Sequence, residues 1–296
     1  MIHYNNCPLC NDHAIVYDFS AIDHTVSGES YEVWRCNNCQ GLFTQDIPNE
    51  DQIGKYYHSD NYISHSDTKE GWMNAAYHQV RNITLSGKKS LIEKETGIAA
   101  GTLLDVGCGT GAFLNRMNKG GWKITGVEPD ARARQTASDL YGLNISAPDN
   151  LSNLPDAHFD AITLWHVLEH VHDIHGHLHQ LVRLLKHDGK LFIAVPNYTS
   201  ADAKQYKETW AAFDVPRHLY HFSPHSMNIL LHKHGLKIKK MKPMWFDSFY
   251  VSMLSEKNQH RDGNILSAFA AGLKSNINAL VNNRQSSSLI YIASKS

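Results

Sequence analysis

Four of the five cysteines fall into two Cys-x-x-Cys pairs, Cys7-Pro8-Leu9-Cys10 and Cys36-Asn37-Asn38-Cys39. In a reducing compartment such pairs read as metal ligands before disulfides, because four thiolates on two tight turns can close a tetrahedral shell around one Zn²⁺. A strand-like stretch with Tyr31, Val33 and Trp34 leads into the second pair, which gives the layout of a zinc ribbon. An all-cysteine shell leaves no coordination position open, so the expected metal is structural. It staples a module of about 40 residues whose own apolar core is too small to hold it.

A second chemical signal is the loop Asp105-Val106-Gly107-Cys108-Gly109-Thr110-Gly111, followed by Glu128-Pro129-Asp130. Glycines let backbone approach a ligand, and an acidic residue at the end of the next strand can take both hydroxyls of a ribose. Gly107, Gly109 and Ala112 formally satisfy the dinucleotide pattern Gly-x-Gly-x-x-Gly/Ala, a weak signal alone. Asp105 discriminates. A carboxylate at that strand end suits a cofactor carrying a cationic amino group and would repel a pyrophosphate at the helix start. On these residues the sequence resembles the class I S-adenosylmethionine-dependent methyltransferases, whose first motif is an acidic residue, an apolar one and then Gly-x-Gly-x-Gly. The resemblance implies that Asp105, Gly107, Cys108, Gly109 and Gly111 line S-adenosylmethionine and that Glu128 and Pro129 belong to the second acidic motif. It also implies that Asn150 and Leu151 contact adenine.

Histidines form the third signal. Trp165-His166-Val167-Leu168-Glu169-His170 is followed by His172, His175, His177 and His179. His166-x-x-Glu169-His170 copies the inverted zinc-protease motif, but that motif belongs inside a helix, and here the first histidine directly follows a strand. The run resembles the loop after the fourth strand in ubiquinone-biosynthesis-type methyltransferases. By that resemblance His166 contacts the cofactor; His170 is expected to hydrogen-bond at a helix start and the four later histidines to face solvent. Farther on, Phe213-Asp214-Val215-Pro216-Arg217-His218-Leu219-Tyr220-His221-Phe222-Ser223 looks like the Glu-His-Leu-x-Tyr-Phe-Ser segment of nucleotide-sugar C-methyltransferases, which also carry an N-terminal zinc module. That match gives His218 the general-base role and puts His221 at the tyrosine position. Arg217 departs from the family's glutamate. An arginine there either favours neutral histidine and holds an anionic group of the acceptor, or pairs with Asp214 to fix the loop.

These residues need a scaffold. From Gly101 the pattern alternates: strands at 102–106, 123–127, 160–164 and 191–195, with helices at 111–118, 131–141 and 174–185 between them. Such alternation implies crossover units and a parallel sheet covered on both faces, with ligands at the carboxyl ends of the strands. The expected fold is α/β, a Rossmann-like seven-stranded methyltransferase sheet, mostly parallel with its last strand antiparallel, plus the small ribbon. Ser223 and Pro224 start a further helix that Gly235 ends. Strands at 237–244 and 289–293 close the pattern, with helical stretches near 249–256 and 266–280. The domain reading is a ribbon over 1–45, a helical connector and lid over 46–98 that includes Tyr62 and Ser64-His65-Ser66-Asp67, and a methyltransferase domain over 99–296. That last domain has an acceptor-side insertion at about 197–222, long enough to suggest function.

Composition narrows the functions. The chain has 296 residues, 42% hydrophobic and 19% charged, with a formal net charge of −1. That balance excludes disordered, collagen-like and heptad-repeat classes. No apolar run approaches the ~18 residues of a membrane span, so a cytoplasmic protein is expected. A near-neutral charge counts against extended nucleic-acid contact. Lys233, Lys237, Lys239, Lys240 and Lys242 form the one basic stretch and read as strand-edge protection. The leading expectation is a methyltransferase acting on a small-molecule acceptor: a sugar, a nucleotide-linked sugar or a lipid-linked glycan. The ribbon is expected to close over the site. The alternatives are an RNA base methyltransferase and an interaction protein that binds the cofactor without turnover.

Overall fold

The computed structural model describes residues 1–57, 72–260 and 265–296. Tyr62 and Ser64 to Asp67 therefore lie outside the described residues. The chain opens on an antiparallel meander, β1 (Ile15–Ile22), β2 (Ser30–Cys36) and β3 (Leu42–Thr44). Asp23 makes the first turn: its carboxylate accepts the N–H groups of Thr25, Val26 and Ser27, the bonding by which an Asp side chain imitates a backbone turn. Helices α1 (Glu50–Ile53) and α2 (Trp72–Thr96) lead into the main domain.

The main domain then runs β4 (Thr102–Val106), α3 (Ala112–Lys119), β5 (Lys123–Val127), α4 (Ala131–Tyr141), β6 (Phe159–Trp165), α5 (Ile174–Leu184) and β7 (Leu185–Pro196). After these come α6 (Ala201–Tyr206), β8 (Tyr220–His221), α7 (Pro224–Lys233), β9 (Leu236–Pro243), α8 (Asp247–Gln259), α9 (Ile265–Val281) and β10 (Ser288–Lys295). Boundaries follow local chemistry. Asp130 caps α4 by accepting from the N–H groups of Arg132 and Ala133, and Gly142 ends it in the left-handed region. Ser223 and Ser226 form a reciprocal cap on α7, with Pro224 in the first turn, where its missing N–H has no helical partner to lose.

The large sheet has the order β5-β4-β6-β7-β10-β9. β4, β5, β6 and β7 are mutually parallel, and β10 is antiparallel to both β7 and β9. The sheet therefore has six strands rather than the expected seven. The missing one is reduced to a single parallel bridge, Val127 to Ser146. Of the stretch between Gly142, which ends α4, and Pro148, which opens a 3-10 turn, only Ser146 exchanges backbone hydrogen bonds with the end of β5, donating to the Gly126 carbonyl and accepting from Glu128 N–H. One apolar cluster, around Leu103, Met117, Trp122 and Phe192, packs with Ile92 of α2. A larger one joins α5 and α7 to Leu9, Phe43 and the ribbon cysteines. No helix among the described residues is long and apolar enough to cross a membrane.

The ribbon does not stand as a separate module. Its meander takes a fourth strand from the insertion, β8, which pairs with β3 (Leu42 to His221, Phe43 to Tyr220). The insertion is thereby less irregular than its sequence suggests: it contains α6, two 3-10 turns and this strand.

Candidate active site

The loop after β4 is built for close approach. Gly107 and Gly109 are left-handed (φ +67° and +54°), and a Cβ on Gly107 would stand 2.5 Å from Val167 Cγ2. Glu128 holds the loop from the next strand: one carboxylate oxygen accepts from Gly109 N–H (2.8 Å), the other from Asp130 N–H (3.0 Å). A carboxylate has about four lone-pair sites, so capacity remains for ribose hydroxyls. Asp105, 1% exposed, accepts from the Thr163 hydroxyl at 2.6 Å. Burial pushes its pKa up to about 7, partly offset by the Thr163 hydrogen bond and the Lys88 charge, while Glu128 adds to the rise. Cys108 lies in the same loop, its thiol raised by burial and then by these two carboxylates.

The remaining cofactor candidates are more peripheral. Pro129 is exposed and its carbonyl accepts from Arg134. Asn150 and Leu151 lie in the 3-10 turn at 148–153, with Asn150 half-buried and the Leu151 side chain in the core.

His166 follows β6 in a left-handed conformation (φ +58°), costly for a residue with a Cβ and typical of sites under functional constraint. Its Nε2 lies 2.8 Å from Asp247 Oδ2 and its Nδ1 3.3 Å from Glu169 Oε1. Burial pulls its pKa down, but the two carboxylates outweigh that and raise it to about 10. His166 is therefore an imidazolium between two anions. Asp247 and Lys88 were not singled out from the sequence: the one is 81 residues from its partner, the other an ordinary lysine on an amphipathic helix.

On the opposite side the insertion meets the ribbon. Arg217 is fully buried. Its guanidinium donates to Asp23 (2.9 Å), to both oxygens of Asp214 and to the Tyr56 carbonyl. It has no exposed donor to offer an anionic acceptor, and the loop-fixing pair with Asp214 is the arrangement present. His221, on β8, is buried under the ribbon, its Nε2 3.2 Å from Thr44 Oγ1. Burial, then His218, holds it well below the usual histidine range.

His218 is 9% exposed and donates from Nδ1 to the Ala212 carbonyl (2.8 Å). A carbonyl only accepts, so Nδ1 carries a proton, and in the neutral ring Nε2 is the nitrogen left to accept. Asp214 Oδ2 lies 4.0 Å from that Nε2. His170 packs edge-on against it, ring centroids 4.7 Å apart, and donates from Nδ1 to the Arg217 carbonyl. Burial and the neighbouring His218 pull its pKa down to about 4. Ligand atoms of Glu169, His170 and His218 all lie within 4.8 Å of one another. Such a set can accept a proton or hold a divalent cation. Among the later histidines, His179 faces solvent, whereas His172, His175 and His177 are half-buried.

The four ribbon cysteines converge. Cys7 and Cys39 Sγ are 3.6 Å apart, as are Cys10 and Cys36. A tetrahedron with Zn–S of about 2.3 Å has edges of about 3.8 Å, so the donor set fits a structural Zn²⁺.

A six-stranded sheet in this order, with an acidic residue before a glycine loop at its switch point, defines a class I S-adenosylmethionine-dependent methyltransferase fold. A family profile described as a methyltransferase domain matches residues 78–240, and the chain belongs to that family. A ubiquinone biosynthesis O-methyltransferase from Actinobacillus pleuropneumoniae serotype 7 is 36% identical over 119 residues, 36% of this chain and 50% of that protein. Its counterpart from Aeromonas salmonicida is 29% identical over 128 residues, 40% of this chain and 52% of that protein. The chain thus spans about half the length of the curated relatives it matches. Among solved structures, 1,6-didemethyltoxoflavin-N1-methyltransferase from Burkholderia thailandensis, with bound S-adenosylhomocysteine, superposes with a TM-score of 0.50 at 15% identity, covering 93% of this chain and all of that one. Magnesium protoporphyrin IX methyltransferase from Synechocystis gives 0.50 at 14%, covering 83% and 94%. At those identities the likeness is one of fold.

Proposed function

We propose that the chain transfers a methyl group from S-adenosylmethionine to a hydroxyl of a small acceptor, a sugar or a nucleotide- or lipid-linked sugar, with His218 as general base. The observation that carries this reading is the grouping of His218 with His170 and Glu169, ligand atoms within 4.8 Å of one another, where Glu169 also faces His166 at the end of β6 beside the glycine loop. S-adenosylmethionine, when bound, supplies an electrophilic methyl group on a sulfonium. Asp105 would hold its amino group, Glu128 its ribose, and the turn at Asn150 and Leu151 its adenine. The protein's remaining work is to position the acceptor and take its proton. His218 Nε2 accepts that proton, and Asp214 stabilises the imidazolium that results.

Oxygen as the acceptor atom is supported by the O-methyltransferases among the relatives. Their names speak for the cofactor half, since the match covers little more than a third of this chain. The test is transfer of radiolabelled methyl from S-adenosylmethionine into a fractionated cell extract, comparing wild type with Asp105→Ala. Wild-type-dependent label in the small-molecule or glycolipid fraction supports the proposal; label in RNA overturns it.

A further inference from the structure

β9 and β10 are antiparallel neighbours, with Leu289 opposite Pro243, and a tight turn could join such a pair. Instead α8 and α9 stand between them, packed against each other as a hairpin. Phe249 stacks on Phe269 with ring centroids 5.2 Å apart, and Asn276 donates to the Trp245 carbonyl and accepts from the Ser248 hydroxyl.

The hairpin is amphipathic in reverse. α9 buries its small residues Ala268, Ala271, Ser275 and Ala279, and α8 buries Ser248, Ser252 and Ser255. The bulky apolar side chains face solvent: Phe269, Leu273, Ile277 and Leu280 recur at helical spacing along α9, Tyr250 and Met253 accompany them on α8, and all are between 39% and 73% exposed. A surface helix normally turns such a stripe toward the core. These side chains offer on the order of 700 Å², more than the largest apolar patch of most monomers and close to the roughly 800 Å² per partner of a stable interface.

Charge narrows the occupant. Among the described residues of α8 and α9 the exposed charges are Lys257, a turn beyond Met253, and Lys274, on the flank of the stripe. The carboxylates of these helices are engaged elsewhere, Asp247 with His166 and Glu256 with Tyr206 and Ser267. A face of one uniform character is complementary to itself: set against its own copy about a two-fold axis, it meets apolar surface with no charge inside. Two helical hairpins joined in this way form a four-helix bundle, in which stripes of this spacing bury one another.

We infer that the exposed face of α8 and α9 is an interface with a second copy of the chain. The inference is independent of which acceptor is methylated. α8 begins at Asp247, the partner of His166, so the interface braces one side of that ion pair.

Sedimentation equilibrium of the full chain tests it. Wild type should weigh twice the chain mass at micromolar concentration. Leu273→Glu and Ile277→Glu, each placing a charge at the centre of the buried face, should weaken association by about 100-fold or more, with the far-UV circular dichroism unchanged. Leu280→Glu, at the more exposed end of the stripe, serves the same purpose if either variant folds poorly. Tyr17→Glu, on the exposed edge strand β1, should leave the dimer intact. A wild type that stays monomeric at tens of micromolar overturns the inference, and its cosedimentation with vesicles of anionic phospholipid would show that the face meets lipid instead. A dimer that survives all the α9 substitutions overturns it equally, because its interface then lies elsewhere.

Discussion

The glycine-loop region and the His218 region are assembled in opposite ways. On the cofactor side, Asp105 to Gly111 and Glu128 lie within one strand-helix-strand unit and are held by short bonds, Gly109 N–H to Glu128 and Thr163 to Asp105. Around His218, local bonds such as Arg217 to Asp214 and His218 to the Ala212 carbonyl are joined by contacts that span most of the chain: Asp23 to Arg217, Thr44 to the His218 carbonyl, Thr44 to His221. Local assembly makes the first side a property of the fold. Long-range assembly makes the second depend on the ribbon, and each variant below should strike one side and spare the other.

The largest effect is expected from the metal. Cys36→Ser should lose Zn²⁺, about one per chain by elemental analysis, and bring turnover to background, because β3 loses its anchor and β8 with it. S-adenosylhomocysteine binding should fall by much less; an equal fall in both would erase the contrast between the two sides. His218→Ala should lower kcat by about 10²- to 10⁴-fold, the usual share of a general base, with S-adenosylhomocysteine affinity within a few-fold.

Asp105 gives a pH signature. The cofactor's amino group favours the ionised carboxylate, so affinity should rise with pH up to about pH 7 and then level off. Below that point it should drop by about tenfold per unit, and Asp105→Asn should flatten the profile. The folded-state pKa lies above the ordinary carboxylate value, so this group makes the ligand-free protein less stable as pH rises from about 4 to 7. Asp105→Asn should abolish that part of the pH dependence of thermal unfolding. The smallest effect is on Glu128: Glu128→Gln should weaken cofactor binding by about 1.5–3 kcal/mol, and unchanged affinity would show that it only braces the loop.

Legibility in the sequence follows the same division. The glycine loop, its acidic partner and the cysteine pairs are contiguous or regularly spaced, so residue type and interval alone point to them. The helix capped by Ser223 and Pro224 is legible for the same reason. Lys88, Thr163 and Asp247 are not, since nothing local marks them and only the fold carries them to Trp165, Asp105 and His166. Arg217 shows the limit from the other direction. Its neighbours in sequence suggest a substrate contact, but its deciding partner, Asp23, lies in the turn of a distant hairpin. The reduced seventh strand is not legible because alternation predicts how many crossovers there are, whereas how far the returning stretch pairs, here at Ser146 alone, is set by the fold.

The β3–β8 pairing also imposes an order on biogenesis. During synthesis domains form from the N-terminus onward, so the ribbon can gather its four cysteines and its metal long before its last strand exists. Residues 220–221 must leave the ribosome before that sheet is complete, and the whole cofactor half is made in between. A nascent chain can therefore complete the glycine loop while His218 is still unplaced, and the ribbon waits as the template on which the segment around β8 is finally set.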